Sequence, residues 1–341
     1  MIRNDIMNKW VVLFSSLAVS SNVCAVDVKP YIVNGSYADV TTFPSMASLF
    51  FDQIDYTQVY GIASYCGASL LSNQYVLTAA HCIYGNEKAQ LFTSVVPQLQ
   101  DERDFPNNIL EKGKVAAIYY PSTYNNTTLL DDIAILKLET PLTTVSSVNY
   151  LKRPDAGADA TYRLSSEQFV AVGHGDTSSN VDNNTLLLQT NLTFVPNNLC
   201  NYESTTATNL CMQGVISGLT GLENATCQGD SGGPLFWLHG SEYIQVGLTS
   251  FGPATRCGDP SSSIGATSVF TEIHDYADWI DSVMNGSESP KFVATEAKRQ
   301  AYLNPPSSDS GGGSLGWWSL LLVFSTLLRD VGFRYCLNQR R

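Results

Sequence analysis

The sequence predicts an all-β domain that is closed by one helix. Between about residues 32 and 285, short apolar and β-rich segments such as YVLTAAHC, DIAILKLE and VGLTSFG alternate with turn-rich breaks such as PSTYNN and PDAGADA. Many short strands at this spacing are typical of a β-barrel or a β-sandwich. Helical periodicity at the end of the region predicts one amphipathic helix, with an apolar face of Ile273, Tyr276, Ala277, Ile280, Val283 and Met284.

Composition and charge narrow the possible functions. The chain has 341 residues, of which 44% are apolar and 15% charged, and its formal net charge is −12. This composition suits one large all-β domain or two small ones. Because an acidic surface repels phosphate, no nucleic-acid partner is expected.

The first 25 residues have the features of a secretory signal peptide. Arg3 and Lys9 precede an apolar run, and Val23-Cys24-Ala25 resembles a small-residue cleavage site. A lipoprotein signal ending at Cys24 is the alternative, and the bulk of Val23 disfavours it. Residues 1–25 are therefore predicted to direct export.

Export makes disulfide bonds the expected state of the cysteines. Of the eight cysteines, Cys24 leaves with the signal peptide and Cys336 lies in a C-terminal tail. An even set remains, which predicts three bridges whose pairing the spacing alone leaves open: Cys66, Cys82, Cys200, Cys211, Cys227 and Cys257.

Three separated motifs carry the chemistry. They are LTAAHC at residues 77–82, DDIAILKL at 131–138 and CQGDSGGPLF at 227–236, in the order His, Asp, Ser. A glycine-flanked serine alone would be read as a turn. All three motifs in this order resemble the chymotrypsin/trypsin family of serine endopeptidases, and the resemblance runs from Ile32 to about Met284.

The resemblance implies two packed six-stranded antiparallel β-barrels with a C-terminal helix. It implies Ser231 as nucleophile, His81 as general base and Asp132 as the group that orients His81. Asp131 is the competing aspartate, and Asp132 is preferred because it directly precedes IAILKL. The backbone N–H groups of Gly229 and Ser231 would form the oxyanion hole.

The segment KPYIVNGSYA, residues 29–38, resembles the family's activation site. Cleavage after Tyr31 would remove a propeptide, residues 26–31, and free the amine of Ile32. That amine would pair with the buried carboxylate of Asp230, which makes activation a switch triggered by proteolysis. An ordinary edge strand is the alternative interpretation of IVNG, and the nearby GDSGGP motif disfavours it. The activating partner would be a separate protease or the enzyme itself.

The resemblance also implies the disulfide pairs Cys66–Cys82, Cys200–Cys211 and Cys227–Cys257. His174 stands where the family has tryptophan, and it is interpreted as a packing residue. The sequence lacks an H-E-x-x-H motif and the paired cysteines of zinc sites, so no metal or cofactor is expected.

The specificity pocket is expected to be apolar. Ala225, six positions before Ser231, would form its base, where enzymes that cut after Lys or Arg carry an aspartate. Asp259 is the nearby acid that could reach it, and Ser268 replaces a typical glycine. Cleavage after apolar or aromatic residues is therefore expected. The substrate backbone would pair with a short edge, Ser250, Phe251 and Gly252.

Two segments follow the domain, which itself is assigned to residues 32–285. Residues 286–310 read as a polar linker, and residues 311–341 resemble a bacterial Gly-Gly sorting signal that a rhomboid-type protease would process. The apolar run 315–328 spans about 21 Å, shorter than the roughly 30 Å of a stable span. A GPI signal and a plain membrane anchor are the alternatives.

Together these features predict a monomeric zymogen-type serine endopeptidase that acts on polypeptides. It would be secreted or attached to the surface of a Gram-negative bacterium. The alternative is a catalytically inactive binding module on the same fold, which loss of a triad residue would have favoured.

Overall fold

A computed structural model describes residues 32–305, apart from 178, 180–183, 201, 203–204, 254–255 and 262–264. The predicted signal peptide, the propeptide and the Gly-Gly segment lie outside the described residues. Within the described ranges, no helix has the length and apolar character needed to cross a membrane.

The first barrel is built from six antiparallel strands: β2 (Met46–Gln53), β4 (Cys66–Leu70), β5 (Tyr75–Thr78), β6 (Thr93–Pro97), β7 (Gly113–Tyr119) and β8 (Ala134–Leu138). They run in the order β7-β6-β2-β4-β5-β8, and a β7–β8 pairing closes the barrel. A short strand, β3 (Val59–Tyr60), pairs with β2.

The second barrel also has six antiparallel strands: β9 (Phe169–Gly173), β10 (Leu188–Val195), β11 (Asn209–Gln213), β12 (Pro234–His239), β13 (Glu242–Phe251) and β14 (Ser268–Glu272). Their order is β10-β11-β14-β13-β12-β9, closed by β9–β10, and β1 (Ser36–Tyr37) pairs with β10. When the six strands of each barrel are numbered by their order in the chain, both barrels arrange them around the ring as first, second, third, sixth, fifth and fourth, so the two barrels share one topology.

Each barrel has its own apolar core, and the barrels meet closely beside Ser231. A Cβ added to Gly67 of β4 would lie 2.7 Å from the Cα of Gly233, so only glycine allows this approach. Four helices accompany the barrels: α1 (Ile54–Thr57), α2 (Glu87–Phe92), α3 (Asp159–Tyr162) and α4 (Ala277–Met284). The predicted two-barrel fold is confirmed.

The predicted C-terminal helix corresponds to α4 together with a preceding 3-10 turn, His274–Tyr276. Ile280 and Val283 of α4 pack with Ile135 and Leu77 of the first barrel and Leu248 of the second. The helix therefore covers strands of both barrels with one apolar face.

The segment predicted to be a polar linker contains regular structure. It holds a two-residue strand, β15 (Phe292–Val293), and a helix, α5 (Glu296–Leu303). The Thr295 side chain accepts a hydrogen bond from the Lys298 amide and caps the helix. Its sequence, EAKRQAYL, consists mostly of strong helix formers. The linker prediction relied on the polarity of the segment and did not consider this helix propensity.

Candidate active site

His81 lies on a 3-10 turn, Ala80–Cys82, that directly follows β5. Its neighbour Cys82 is bonded to Cys66 at the start of β4, so the turn is tied to the adjacent strand. The imidazole is partly exposed, with 22% of its side-chain surface accessible.

Asp132 is fully buried and accepts three hydrogen bonds. The His81 amide donates to Oδ1 at 2.9 Å, His81 Nδ1 lies 2.7 Å from Oδ2, and the Ser250 hydroxyl donates to Oδ2 at 2.5 Å. Three donors offset the cost of burying the carboxylate. Because Nδ1 makes the contact with Asp132, Nε2 lies on the side of the ring away from the carboxylate.

Asp131 is directed elsewhere, although it is adjacent in sequence. It has a left-handed backbone, with φ of 54°, and its carboxylate accepts a hydrogen bond of 2.6 Å from the Tyr276 hydroxyl. The Thr271 hydroxyl donates to the backbone carbonyl of Asp132 at 2.9 Å. The structure thus brings Asp132, and not Asp131, to His81.

Ser231 sits in the turn between Cys227 and Gly233. The Gly67 amide donates to the Ser231 carbonyl at 2.8 Å, which anchors the turn to the first barrel. No hydrogen bond joins the Ser231 hydroxyl to His81 among the described contacts. Such catalytic hydrogen bonds often form only once a substrate is bound.

Two backbone donors beside Ser231 are free. The Gln228 carbonyl accepts a hydrogen bond of 2.6 Å from the Asp176 amide. Because a trans peptide points its C=O and N–H in opposite directions, the Gly229 N–H faces away from Asp176. Neither Gly229 nor Ser231 donates its N–H to any described residue, and such a donor pair can bind an oxyanion.

Gly229 cannot readily be replaced at this turn. Its φ is 94°, and an added Cβ would lie 2.9 Å from the Cα of Gly175. A side chain would therefore be strained and crowded.

Asp230 is buried directly beneath the turn. Its carboxylate accepts hydrogen bonds from the amides of Gly175, at 2.9 Å, and Cys227, at 2.8 Å. No Lys, Arg or His in the described chain forms an ion pair with it. Burial raises the pKa of Asp230 to about 7. Within the described residues, the Asp230 carboxylate is therefore held by two backbone amides and no cation.

Ile32 is fully buried, and Val33 pairs in an antiparallel bridge with Ala225. The Asn34 side chain donates to the Leu222 carbonyl at 2.8 Å and accepts from the Thr220 hydroxyl at 2.7 Å. The IVNG segment is thus packed against the loop that precedes Cys227, rather than lying on an open sheet edge.

A cavity of about 170 Å³ opens next to Ser231. Two chain segments form its described walls, Thr226 to Gln228 and Thr249 to Pro253, together with Cys257. Of the residues predicted to bind substrate, Ser250, Phe251 and Gly252 line the cavity. Asp259 is only partly exposed, its carboxylate accepts hydrogen bonds from the amide and the hydroxyl of Ser261, and it does not line the cavity.

Ala225, which was predicted to form the base of the pocket, does not line the cavity. It is fully buried and packs with Val33, Leu222 and Cys257. Neighbouring side chains of an extended segment point in opposite directions, so Thr226 faces the cavity when Ala225 faces Val33. Applying this alternation to the sequence would have identified Thr226.

The remaining cysteines form the pairs that the resemblance implies. Cys200 is bonded to Cys211, and Cys227 is bonded to Cys257 beside the cavity. Cys66, His81 and Cys82 form a group of potential metal ligands in the described part of the chain. Both sulfurs belong to a disulfide, so this group offers no thiolate to a metal.

His174 is buried near the Asp230 turn. Its Nδ1 lies 3.3 Å from the Ser48 hydroxyl, and its Nε2 has no hydrogen-bond partner among the described residues. Burial lowers the pKa of His174 to about 4, so the ring is neutral at neutral pH.

Two barrels of shared topology, with a serine, a histidine and a buried aspartate around one cleft, define the chymotrypsin-like class. The trypsin family model matches residues 32–280, and the chain belongs to that family.

Known proteins support this assignment. The chain is 28% identical to a chymotrypsin of Phaedon cochleariae over 64% of its own length and 71% of the relative. It is 28% identical to melanization protease 1 of Drosophila melanogaster, over 76% of this chain and 67% of that protein.

Solved structures show the same fold. A structure described as the atomic-resolution structure of HBP has a TM-score of 0.58 and 26% identity, and it covers 74% of this chain and 97% of its own. A structure of human heparin binding protein has a TM-score of 0.60 and 24% identity, and the match covers 77% of this chain and 100% of that chain.

Proposed function

We propose that the protein is a zymogen-type serine endopeptidase that forms an acyl-enzyme on Ser231. The observation that carries this proposal is that the same cleft contains two arrangements. Asp132 accepts three hydrogen bonds, two of them from His81, and the N–H groups of Gly229 and Ser231 donate to no described residue. The first arrangement favours a base at His81 Nε2. The second stabilises negative charge on a substrate oxygen.

The proposed reaction assigns one step to each of these groups. His81 Nε2 removes the proton of the Ser231 hydroxyl as the oxygen attacks the substrate carbonyl, and it then passes that proton to the leaving amine. The developing oxyanion accepts hydrogen bonds from the Gly229 and Ser231 amides. In the second half of the reaction, His81 removes a proton from water as the water oxygen attacks the acyl carbon. The bond to Ser231 then breaks, Ser231 regains a proton from His81, and the acid product leaves.

Cleavage before Ile32 is the proposed activation step. Asp230 is buried without a cation in the chain that contains Tyr31, and the new Ile32 ammonium would supply one. Pairing would hold the Asp230 turn, and with it Gly229 and Ser231, in the competent arrangement. Residues 1–25 are proposed to direct export, and residues 311–341 to act as the sorting segment.

The proposed substrates are peptide bonds that follow an uncharged apolar residue. None of the described residues that line the cavity is charged. A lysine or arginine side chain in it would therefore leave its cation unpaired, which is costly.

A fluorophosphonate probe tests the proposal directly, because it reacts only with an activated serine. The full chain, cleaved to expose Ile32, should be labelled at Ser231, and Ser231→Ala should not be. Asp132→Asn should slow turnover by about 10,000-fold. Asp131→Asn is the matched control. It retains an acceptor for Tyr276 and tolerates the left-handed backbone, so labelling should persist.

A cleaved chain that is folded but stays unlabelled would overturn the proposal. That result would favour the alternative, a binding module without catalysis.

A further inference from the structure

Two hydroxyl side chains meet at the cavity: Thr226 lines it, and the fully buried Ser268 contacts Thr226 from behind without lining the cavity itself. Thr226 lines the cavity on one side. On the other side, Phe251 of β13 pairs with Val269 of β14. One step along this antiparallel register, Ser268 lies beside Gly252, which is itself a lining residue.

Ser268 and Thr226 are joined by two hydrogen bonds. The Ser268 hydroxyl oxygen accepts from the Thr226 amide at 3.0 Å and from the Thr226 hydroxyl at 3.1 Å. Ser268 is fully buried and Thr226 is 7% exposed. The pair therefore connects the two walls, and it is held by backbone as well as side-chain contacts.

We infer that the Thr226–Ser268 pair sets the substrate class by making the specificity pocket shallow. This inference rests on the proposed function, since it concerns the residue on the acyl side of the cleaved bond. Two side chains with oxygens 3.1 Å apart leave no gap through which an aromatic ring could extend. The pocket accepts a small apolar residue such as Ala or Val instead.

Moving one of these side chains aside carries an energetic cost. Withdrawing Ser268 would leave the Thr226 amide buried without an acceptor, at a cost of about 1–3 kcal/mol. The backbone contact thus resists the rearrangement that a Phe or Tyr side chain would require.

The shallow pocket also bears on activation. The bond before Ile32 follows Tyr31, whose aromatic ring does not fit above the Thr226–Ser268 pair. The mature enzyme should therefore leave this bond intact, and a separate protease with aromatic preference should activate the precursor.

The test is a series of peptides that differ only in the residue before the cut, with Ala, Val, Leu, Phe or Tyr. The full chain is cleaved at Tyr31–Ile32 by a protease of aromatic preference, which is then removed by affinity capture. The Ser231→Ala chain treated identically measures any carry-over. We expect kcat/KM for Ala and Val to exceed that for Phe and Tyr by about 10-fold or more.

Variants locate the cause of the preference. Thr226→Gly combined with Ser268→Gly should raise kcat/KM for Phe by about 10-fold relative to Ala. Ser268→Ala keeps a Cβ in place and should retain the small-residue preference. Thr208→Gly removes one member of another hydroxyl pair, Thr206 and Thr208, outside the pocket, and should leave the ratio unchanged.

Fluorophosphonate labelling separates the two possible failures. An unlabelled parent enzyme contradicts the proposed function. A labelled parent that cleaves after Phe or Tyr as well as after Ala overturns the shallow pocket, and this result requires no variant to fold. A double glycine variant that is labelled but keeps the parent's preference also overturns it.

Discussion

Raising the pH from about 4 to about 8 is expected to destabilise the precursor through Asp230. The carboxyl is buried without a cation, and its pKa rises from 3.8 to about 7 in the folded chain. Between these values the folded state holds a proton that the unfolded state has lost. The stability is therefore fully present below about pH 4 and is lost as the pH rises through about 7.

The magnitude follows from the size of the shift. A difference of about three pKa units corresponds to about 4 kcal/mol between the two protonation states. Asp230→Asn removes the titration while keeping a similar shape. Asn can accept only one of the two hydrogen bonds from Gly175 and Cys227, and that loss adds an offset that does not depend on pH.

The assay is urea unfolding of the precursor at pH 4 and pH 8, in a Ser231→Ala background that prevents digestion of unfolded chains. The free energy of unfolding of Asp230→Asn, minus that of the parent, should increase by about 4 kcal/mol between the two pH values. A difference that stays constant within about 1 kcal/mol would refute the reasoning, because it would mean that a cation already compensates Asp230 in the precursor.

Three further outcomes are expected. His174 should make stability depend on pH in the opposite direction, because burial lowers its pKa to about 4 in the folded chain. Its contribution to the free energy of unfolding is fully present above about pH 6.5 and is lost as the pH falls towards 4. In urea unfolding, a His174→Phe variant should not show this loss of about 3 kcal/mol. Equal acid sensitivity in parent and variant would contradict this. Ser250→Ala should lower kcat by about 10- to 100-fold by removing one donor to Asp132, with KM little changed, and an unaltered kcat would show that this donor is dispensable. Activity of the mature enzyme should fall at alkaline pH, because the proposed pairing with Asp230 would raise the pKa of the Ile32 amine above its usual value of about 8, and the stabilisation would be lost as the pH rises through that raised pKa. Acetylation of the amine should mimic high pH, and an acetylated enzyme with unchanged turnover would exclude the switch.

Local motifs carried much of what the sequence could predict. Ser231, His81 and Asp132 each lie in a contiguous pattern, and their order along the chain sufficed to assign the family and the fold. The choice between Asp131 and Asp132 was also made from local sequence. The structure supplies its physical reason, which is that Tyr276 occupies the other carboxylate.

Features that depend on pairs of distant residues were harder to predict. Ser268 was noted as a replacement for glycine, but its consequence depends on a hydrogen bond to Thr226 across 42 positions. The role of Ser250 as a donor to Asp132 spans 118 positions. No local pattern encodes these contacts, because the second barrel brings the residues together only after it closes.

The anchoring of Asp132 determines the stage of synthesis and folding at which this aspartate can be fixed in place. The aspartate belongs to the first barrel, but Thr271 holds its carbonyl and Ser250 its carboxylate, while Tyr276 fixes the residue before it. All three anchors lie more than a hundred residues later in the chain. A nascent or truncated chain that ends between Ser231 and Ser250 already contains the serine and the histidine, but its aspartate loop lacks all three anchors. The proposed active site would therefore be completed last, when the C-terminal part of the domain docks.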